Sequence, residues 1–216
     1  MSTSAARRRE RWEPDARRRQ ILGCAVRLFG ARGYDEVSTA DIAAAAGVAR
    51  GLVNHYFGTK KELYLEVVRV LLTVPDTALT TIPDGDLTAR VDGATTWFLD
   101  AIARHTDAWV AAMGAATPGR DPDLAAVIAE ADEATVDVIL RLAGRTPHPR
   151  ARSPLRAALR AYVAFARSGA MEWLVHGSLS REQTHVLLSR TLTTLLTETI
   201  PVISSRSGPS EQPGSW

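Results

Sequence analysis

Residues 39–63 read Thr39-Ala40-Asp41-Ile42-Ala43-Ala44-Ala45-Ala46-Gly47-Val48-Ala49-Arg50-Gly51-Leu52-Val53-Asn54-His55-Tyr56-Phe57-Gly58-Thr59-Lys60-Lys61-Glu62-Leu63. Ser38 or Thr39 can cap a short helix over 40–46, with Asp41 at its positive start and Gly47 supplying the permissive turn behind it. Ile42, Ala43 and Ala46 share the inward face. A second short helix follows over 50–56, burying Val48, Val53 and Phe57, and Gly58 breaks it. Thr59-Lys60-Lys61-Glu62 is a capping box, in which hydroxyl and carboxylate satisfy each other's backbone donors. It opens a longer helix to about residue 73, closed by Pro75. Two short helices joined by a glycine turn, with a further helix packed across them, are the geometry that seats a recognition helix in a major groove. Arg50, Asn54, His55 and Tyr56 offer groups for base edges and phosphates, and Gly51 leaves room for close backbone approach.

Working outward, the preceding helix opens at Pro14-Asp15, carries Ile21, Leu22, Ala25, Val26, Leu28 and Phe29 at three-to-four spacing, and stops at Gly33. Residues 74–85, with Pro75, Pro83 and Gly85, form the junction to the rest of the chain. Five more helices are expected, over 86–105, 107–116, 122–143, 154–176 and 181–201. Thr117-Pro118-Gly119-Arg120 makes one turn, residues 146–153 a loop, and Ser180-Arg181-Glu182-Gln183 a second capping box. Strand periodicity is nearly absent, so the fold class is all-α: about nine helices, a three-helix helix-turn-helix head and a helical body. The expected domains are a basic flexible arm over 1–14, a DNA-binding head over 15–73, a ligand-binding and dimerisation body over 74–203, and a flexible tail over 204–216.

The charge is segregated. Residues 1–64 hold 12 Lys and Arg against 7 Asp and Glu, whereas the remainder holds 14 against 17. A basic first third suits a polyanion, although a solvated basic face has the same composition. Arg7, Arg8, Arg9 and Arg11 read either as a DNA-contacting arm or as a solubilising leader; for Arg17, Arg18 and Arg19, at a helix start, phosphate contact is the expected role. The single cysteine, Cys24, excludes an internal disulfide framework and fits a reducing cytosol. No stretch reads as a signal peptide or approaches the ~20 apolar residues of a bilayer span. A soluble cytoplasmic protein is expected.

The quoted stretch, together with Ala25-Val26-Arg27-Leu28-Phe29-Gly30-Ala31-Arg32-Gly33-Tyr34, closely resembles the DNA-binding domain of TetR-family regulators over roughly residues 15–70. The resemblance implies an Ω-shaped homodimer, usually a repressor, released from a palindromic operator when a small ligand enters the body. Carried over by position, Thr39 would touch phosphate, Arg50, Gly51, Asn54, His55 and Tyr56 would face DNA, and Lys60 would clamp phosphate beside Thr59. This sequence has Asn54 where the family often has an aromatic and Leu52 where it often has a hydroxyl, so base preferences do not transfer. Asn54 can pair with adenine or simply bond backbone or water.

In the body, Trp97, Phe98, His105, Trp109 and Met113, with Tyr162, Phe165, Trp173 and His176, read as the lining of a cavity for a mainly apolar effector, or as ordinary core. Self-association is expected through the last two helices, by Leu187, Leu188, Leu192, Leu195 and Leu196 with Leu155, Leu159 and Val163, unless these leucines only close the monomer core. No nucleophile elbow, zinc-binding histidine pair or phosphate-cradling glycine loop is present, so neither enzymatic activity nor a cofactor or metal is expected.

Overall fold

The computed structural model describes residues 3–75, 78, 80, 82–115, 121–145 and 154–205, with side chains described between Asp15 and Ile203. Nine helices and no strand occur among them. They are α1 (Thr3–Glu36), α2 (Thr39–Ala46), α3 (Arg50–Phe57), α4 (Lys60–Leu72), α5 (Leu87–Ala103), α6 (Thr106–Ala115) and α7 (Pro122–Leu142). α8 (Pro154–Met171) continues through a π-helical turn, Glu172–His176, and α9 (Arg181–Thr194) through another, Leu195–Thr199, into Ile200–Ser205. The expected loop over 146–153, the turn over 117–120 and the tail beyond 205 lie outside the described residues.

α1 differs from the sequence expectation at its start. It begins at Thr3, ahead of Pro14, because residues 5–13 are almost wholly alanine, arginine and glutamate, all strong helix formers, and carry the helix through that position. At its other end Gly33 leaves the helical region at φ 75°, ψ 173°, which an L side chain rarely adopts.

The chain forms two compact units. The first comprises Met1–Leu72 and Ile102–Ala129, and the second Thr73–Ala101 and Glu130–Trp216. In the first, Ile21, Ala25 and Phe29 of α1 pack with Ile42 of α2, Val53 of α3, and Leu63 and Val67 of α4. Ala108 and Ala112 of α6 and Leu124 and Val127 of α7 belong to the same core, although the sequence reading places them in the body. α1 and α6 approach closely: a Cβ built on Gly30 would stand 2.7 Å from the Ala108 backbone nitrogen. Phe29, Tyr34 and Tyr64 form an aromatic cluster, with Phe29 edge-on to Tyr64 at 5.2 Å.

The second unit has its own core, built on Val91, Val136, Ile139, Leu140, Leu159, Tyr162, Leu192, Leu196 and Ile200. The Tyr162 hydroxyl donates to the Leu188 carbonyl at 3.0 Å, and burial pushes its pKa far above the ordinary phenol value. An ion-pair seam joins α7 to α8. Arg156, buried, reaches Glu133 at 2.5 Å and Asp137 at 2.7 Å, Arg160 also holds Glu133, and Arg167 pairs with Asp132. Two expectations need correction here. Leu159, Val163, Leu188, Leu192 and Leu196, read as interface candidates, are buried inside this unit, because the α8 and α9 stripes face its core. And the span Arg181–Ile203 does reach the length and apolarity of a membrane-crossing helix; it packs Thr184, Leu188, Ser189, Leu192 and Leu196 inward and leaves most of its apolar window exposed.

Candidate nucleic-acid interface

α2 owes its start to Ser38. The Ser38 hydroxyl accepts from the Asp41 amide at 3.1 Å, and the Asp41 carboxylate accepts from the Ser38 amide at 2.8 Å, a complete capping box. Thr39, the alternative cap, is thereby released: its Oγ accepts instead from Arg50 Nε at 3.3 Å, tying the start of α2 to the start of α3. Gly47, left-handed at φ 63°, turns the chain between the two helices and donates its amide back to Ala43 and Ala44.

α3 separates its faces. Val53 and Phe57 are buried, whereas Arg50, Gly51, Asn54 and His55, at spacings of one, four and five residues, are exposed on the opposite side. Tyr56 is half-buried beside the core, edge-on to the His55 ring at 5.4 Å. Gly58, at φ 71°, ends the helix. The second capping box then starts α4: Thr59 donates its amide to Glu62 at 2.7 Å, and its hydroxyl accepts from the Glu62 amide at 3.2 Å. Lys60 lies over the Tyr34 ring, 4.3 Å from its centroid, and donates to the Asp35 carbonyl at 3.4 Å.

These elements enclose a groove of about 460 Å³ lined by Asp35, Glu36, Val37, Ser38, Thr39, Arg50, Asn54, Gly58, Thr59 and Lys60. It brings together five of the expected DNA-contacting residues: Thr39, Arg50, Asn54, Thr59 and Lys60. Gly51, His55 and Tyr56 stand on α3 outside its lining. Arg17 and Arg18 are not in it either. Arg17 bonds Gln20, and Arg18 spends its guanidinium on Glu66 at 2.8 Å while lying 4.8 Å from the Phe57 ring centroid, so it fastens α1 to α3 and α4. The side chains of Arg7, Arg8, Arg9 and Arg11 lie outside the described ones. Sequence reasoning, intent on cations, missed Asp35 and Glu36 in the groove wall; nothing in the local pattern marked them, because only the break at Gly33 swings them there.

Both capping carboxylates titrate low. The Ser38 hydroxyl and amide hold Asp41 below the usual carboxylate range, and the Thr59 amide, then its hydroxyl, do so for Glu62. A depressed folded-state pKa contributes stability that is complete above the unfolded value and lost as pH falls through the folded one. The start of α4 should therefore hold fully above about pH 4.5 and that of α2 above about pH 3.8, each fraying as pH falls further through the lowered value of its own carboxylate. Amide NMR shifts of Ser38 and Thr59 followed down in pH check this; midpoints at ordinary carboxylate values would contradict it.

The nine residues proposed to line a ligand cavity do not share one unit. His105, Trp109 and Met113 belong to the first, where Trp109 is buried and Met113 packs on the core, and His105 is exposed. Trp97, Phe98, Tyr162, Phe165, Trp173 and His176 belong to the second. There Tyr162 is core, Trp97, Phe98 and Trp173 are half-buried, and Phe165 and His176 are exposed. Among the described residues no group of three or more His, Cys, Asp or Glu side chains is placed to hold a metal ion.

A short helix with a buried apolar face, an exposed polar face and a hydroxyl- and cation-lined groove beside it defines a helix-turn-helix DNA-binding head. Residues 21–67 match the family model described as bacterial regulatory proteins, tetR family. The chain is 45% identical over 56 residues to the HTH-type transcriptional regulator BetI of Agrobacterium fabrum, and 46% over 56 residues to that of Brucella anthropi. Those matches cover 26% of this chain and 27% and 29% of the relatives, so the chain spans little more than a quarter of their length. A TetR-family regulator structure from Streptomyces coelicolor is similar over 92% of both chains, with a TM-score of 0.67 and 26% identity. A TetR-family structure from Rhodococcus sp. covers 84% of this chain with a TM-score of 0.67 at 18% identity, a likeness of fold. Residues 21–67 thus carry a helix-turn-helix segment of the tetR type, and the chain as a whole is similar to TetR-family transcriptional regulators.

Proposed function

We propose that the protein is a cytoplasmic repressor that binds a palindromic operator as a homodimer and is released by a mainly apolar small molecule. The observation that carries the DNA-binding part is the groove itself. It sets Arg50, Lys60, Thr39 and Thr59 where phosphates can be met, next to an exposed α3 face bearing Asn54 and His55 for base edges. Arg17, Arg18 and the amino-terminal arginines add positive charge to this part of the chain, and phosphate contact by Arg17 remains part of the proposal. The experiment is selection of bound duplexes from a random pool by the full chain, followed by anisotropy titration. Recovery of a symmetric site supports the reading, and indifference to sequence overturns it.

Dimerisation is supported by apolar side chains that the second unit leaves uncovered. Phe165 on α8 and Val186, Leu187 and Val202 on α9 are all more than a third exposed, and only 28% of the apolar window within Arg181–Ile203 is buried. Outward-facing Ala157, Ala161 and Ala164 on α8 would let a second copy approach closely. Exchanging Phe165 and Leu187 for glutamate should convert the dimer to monomer by light scattering and lower palindrome affinity at least ~100-fold, since two linked half-sites bind far more tightly than one. A double variant that stays dimeric excludes this face. Half-buried Trp97, Phe98 and Trp173 in the second unit support an apolar effector; displacement of labelled duplex by a panel of aromatic and aliphatic compounds tests for it.

A further inference from the structure

Lys60 and Lys61 are neighbours in sequence, and both are cations at the start of α4, yet the structure uses them differently. Lys60 lines the groove. Lys61 does not: its ammonium is held by Asp123 at 2.5 Å and Asp121 at 3.2 Å, on a segment 60 residues downstream within the same compact unit. Asp121 is fixed before the lysine arrives, because its Oδ1 caps α7 by accepting from the Asp123 and Leu124 amides at 3.0 and 3.3 Å. Leu124 and Val127, just inside that helix, share the core with Leu63 and Val67 of α4. The start of α7 is thus capped and packed on the core beside α4, and Lys61 bonds it to the turn that presents Thr59 and Lys60.

We propose that Lys61 is a positioning residue for DNA binding: clasped by Asp121 and Asp123, it holds the first turn of α4, and so the Thr59 and Lys60 groups, in the geometry that meets phosphate. The proposal rests on the DNA-binding reading of the groove. Two carboxylates neutralise the charge of Lys61, so it is not poised as a phosphate ligand itself; it acts through its neighbours. A clasp this exposed is weak as a prop for the fold. It matters because affinity scales with the fraction of molecules whose groove is already competent.

The test is anisotropy titration of a duplex selected by the wild-type chain, between 50 and 200 mM salt, with melting temperature measured alongside. Lys61→Ala is expected to bind about fivefold more weakly, as the competent fraction falls, with the slope of log K against log salt unchanged. The Asp121→Asn/Asp123→Asn double variant should reproduce that loss, since asparagine keeps the cap on α7 and gives up the charge. Lys61→Arg, whose fork can span both carboxylates, should restore binding. Three results overturn the proposal. One is unchanged affinity in Lys61→Ala. Another is a slope shallower by about 0.9, which makes Lys61 a phosphate contact. The third is tighter binding by the double variant, which makes the aspartates a mask over a DNA-binding cation. Should a variant melt well below wild type, Asp123→Asn alone, which touches no cap, decides by the same readings. If Arg50 and Lys60 can be removed without effect, the groove reading fails, whatever Lys61 does.

Discussion

Replacing Arg50 and Lys60 together with alanine should weaken binding to a selected duplex at least ~100-fold, about 2.7 kcal/mol, while leaving the melting temperature almost unchanged. Arg50 is exposed on α3 and hydrogen-bonds Thr39, and Lys60 is held at the groove edge by a ring face and one carbonyl. Neither side chain lies among the buried residues, so truncating both removes little packing; surface changes of this kind fall within about 0.5 kcal/mol of neutral. What they do supply is positive charge in a groove whose lining also carries Asp35 and Glu36. Without them the lining holds two acidic side chains and no basic one, and a phosphate backbone meets net repulsion. The salt dependence separates this from an indirect effect. Losing two phosphate contacts should shallow the slope of log K against log salt by about 1.8, and melting curves should confirm that α1–α4 remain folded. Affinity for duplex equal to that of the wild type would remove the basis for assigning this groove to DNA.

How much of this was legible in the sequence depends on the range over which each feature is encoded. The caps at Ser38, Thr59 and Ser180, the turn glycines at 47 and 58, and the apolar spacing of Ile21, Ala25 and Phe29 are written within a few residues of where they act, and the helices follow. The ambiguity between Ser38 and Thr39 is itself resolved locally, by the reciprocal bonds of Ser38 with Asp41, and only the further partner of the released Thr39 hydroxyl, Arg50, lies 11 positions away. Partnerships at longer range were not legible. Arg18 looked like another phosphate-facing arginine because nothing nearby announces Glu66, and the leucines of α9 looked like an interface because a leucine stripe has the same spacing whether its own chain or a second copy covers it. The same holds for Ala108 and Ala112. Two alanines on a short helix carry no sign that they pack beneath α1, and the small residue that allows it, Gly30, sits in the middle of a helix where its local effect is only destabilising.

That close approach yields the other large effect. Gly30→Leu should lower the melting temperature of the chain by roughly 6–12 °C, from an overpacking cost near 3 kcal/mol, and duplex binding should fail at temperatures where the wild type still binds. A Cβ at position 30 would lie 2.7 Å from the Ala108 nitrogen and 2.9 Å from its Cα. Both are backbone atoms of a helix and cannot rotate away as a side-chain end could, so α1 and α6 must separate. Separation uncovers Phe29 and Ala25, which pack in the same core. The graded series is the informative measurement. Gly30→Ala, which adds only the Cβ, should fall between wild type and leucine, and Ala108→Gly should rescue it only in part, because it relieves the 3.0 Å contact to the Ala108 Cβ and leaves both backbone contacts in place. Gly51→Ala is the matched control: α3 offers open space at that position, and a helical glycine exchanged for alanine there should gain about 0.5–1 kcal/mol. A Gly30→Leu chain that melts with the wild type would mean that α1 and α6 do not meet as described, and that the helices of the first unit are held by α1–α4 alone.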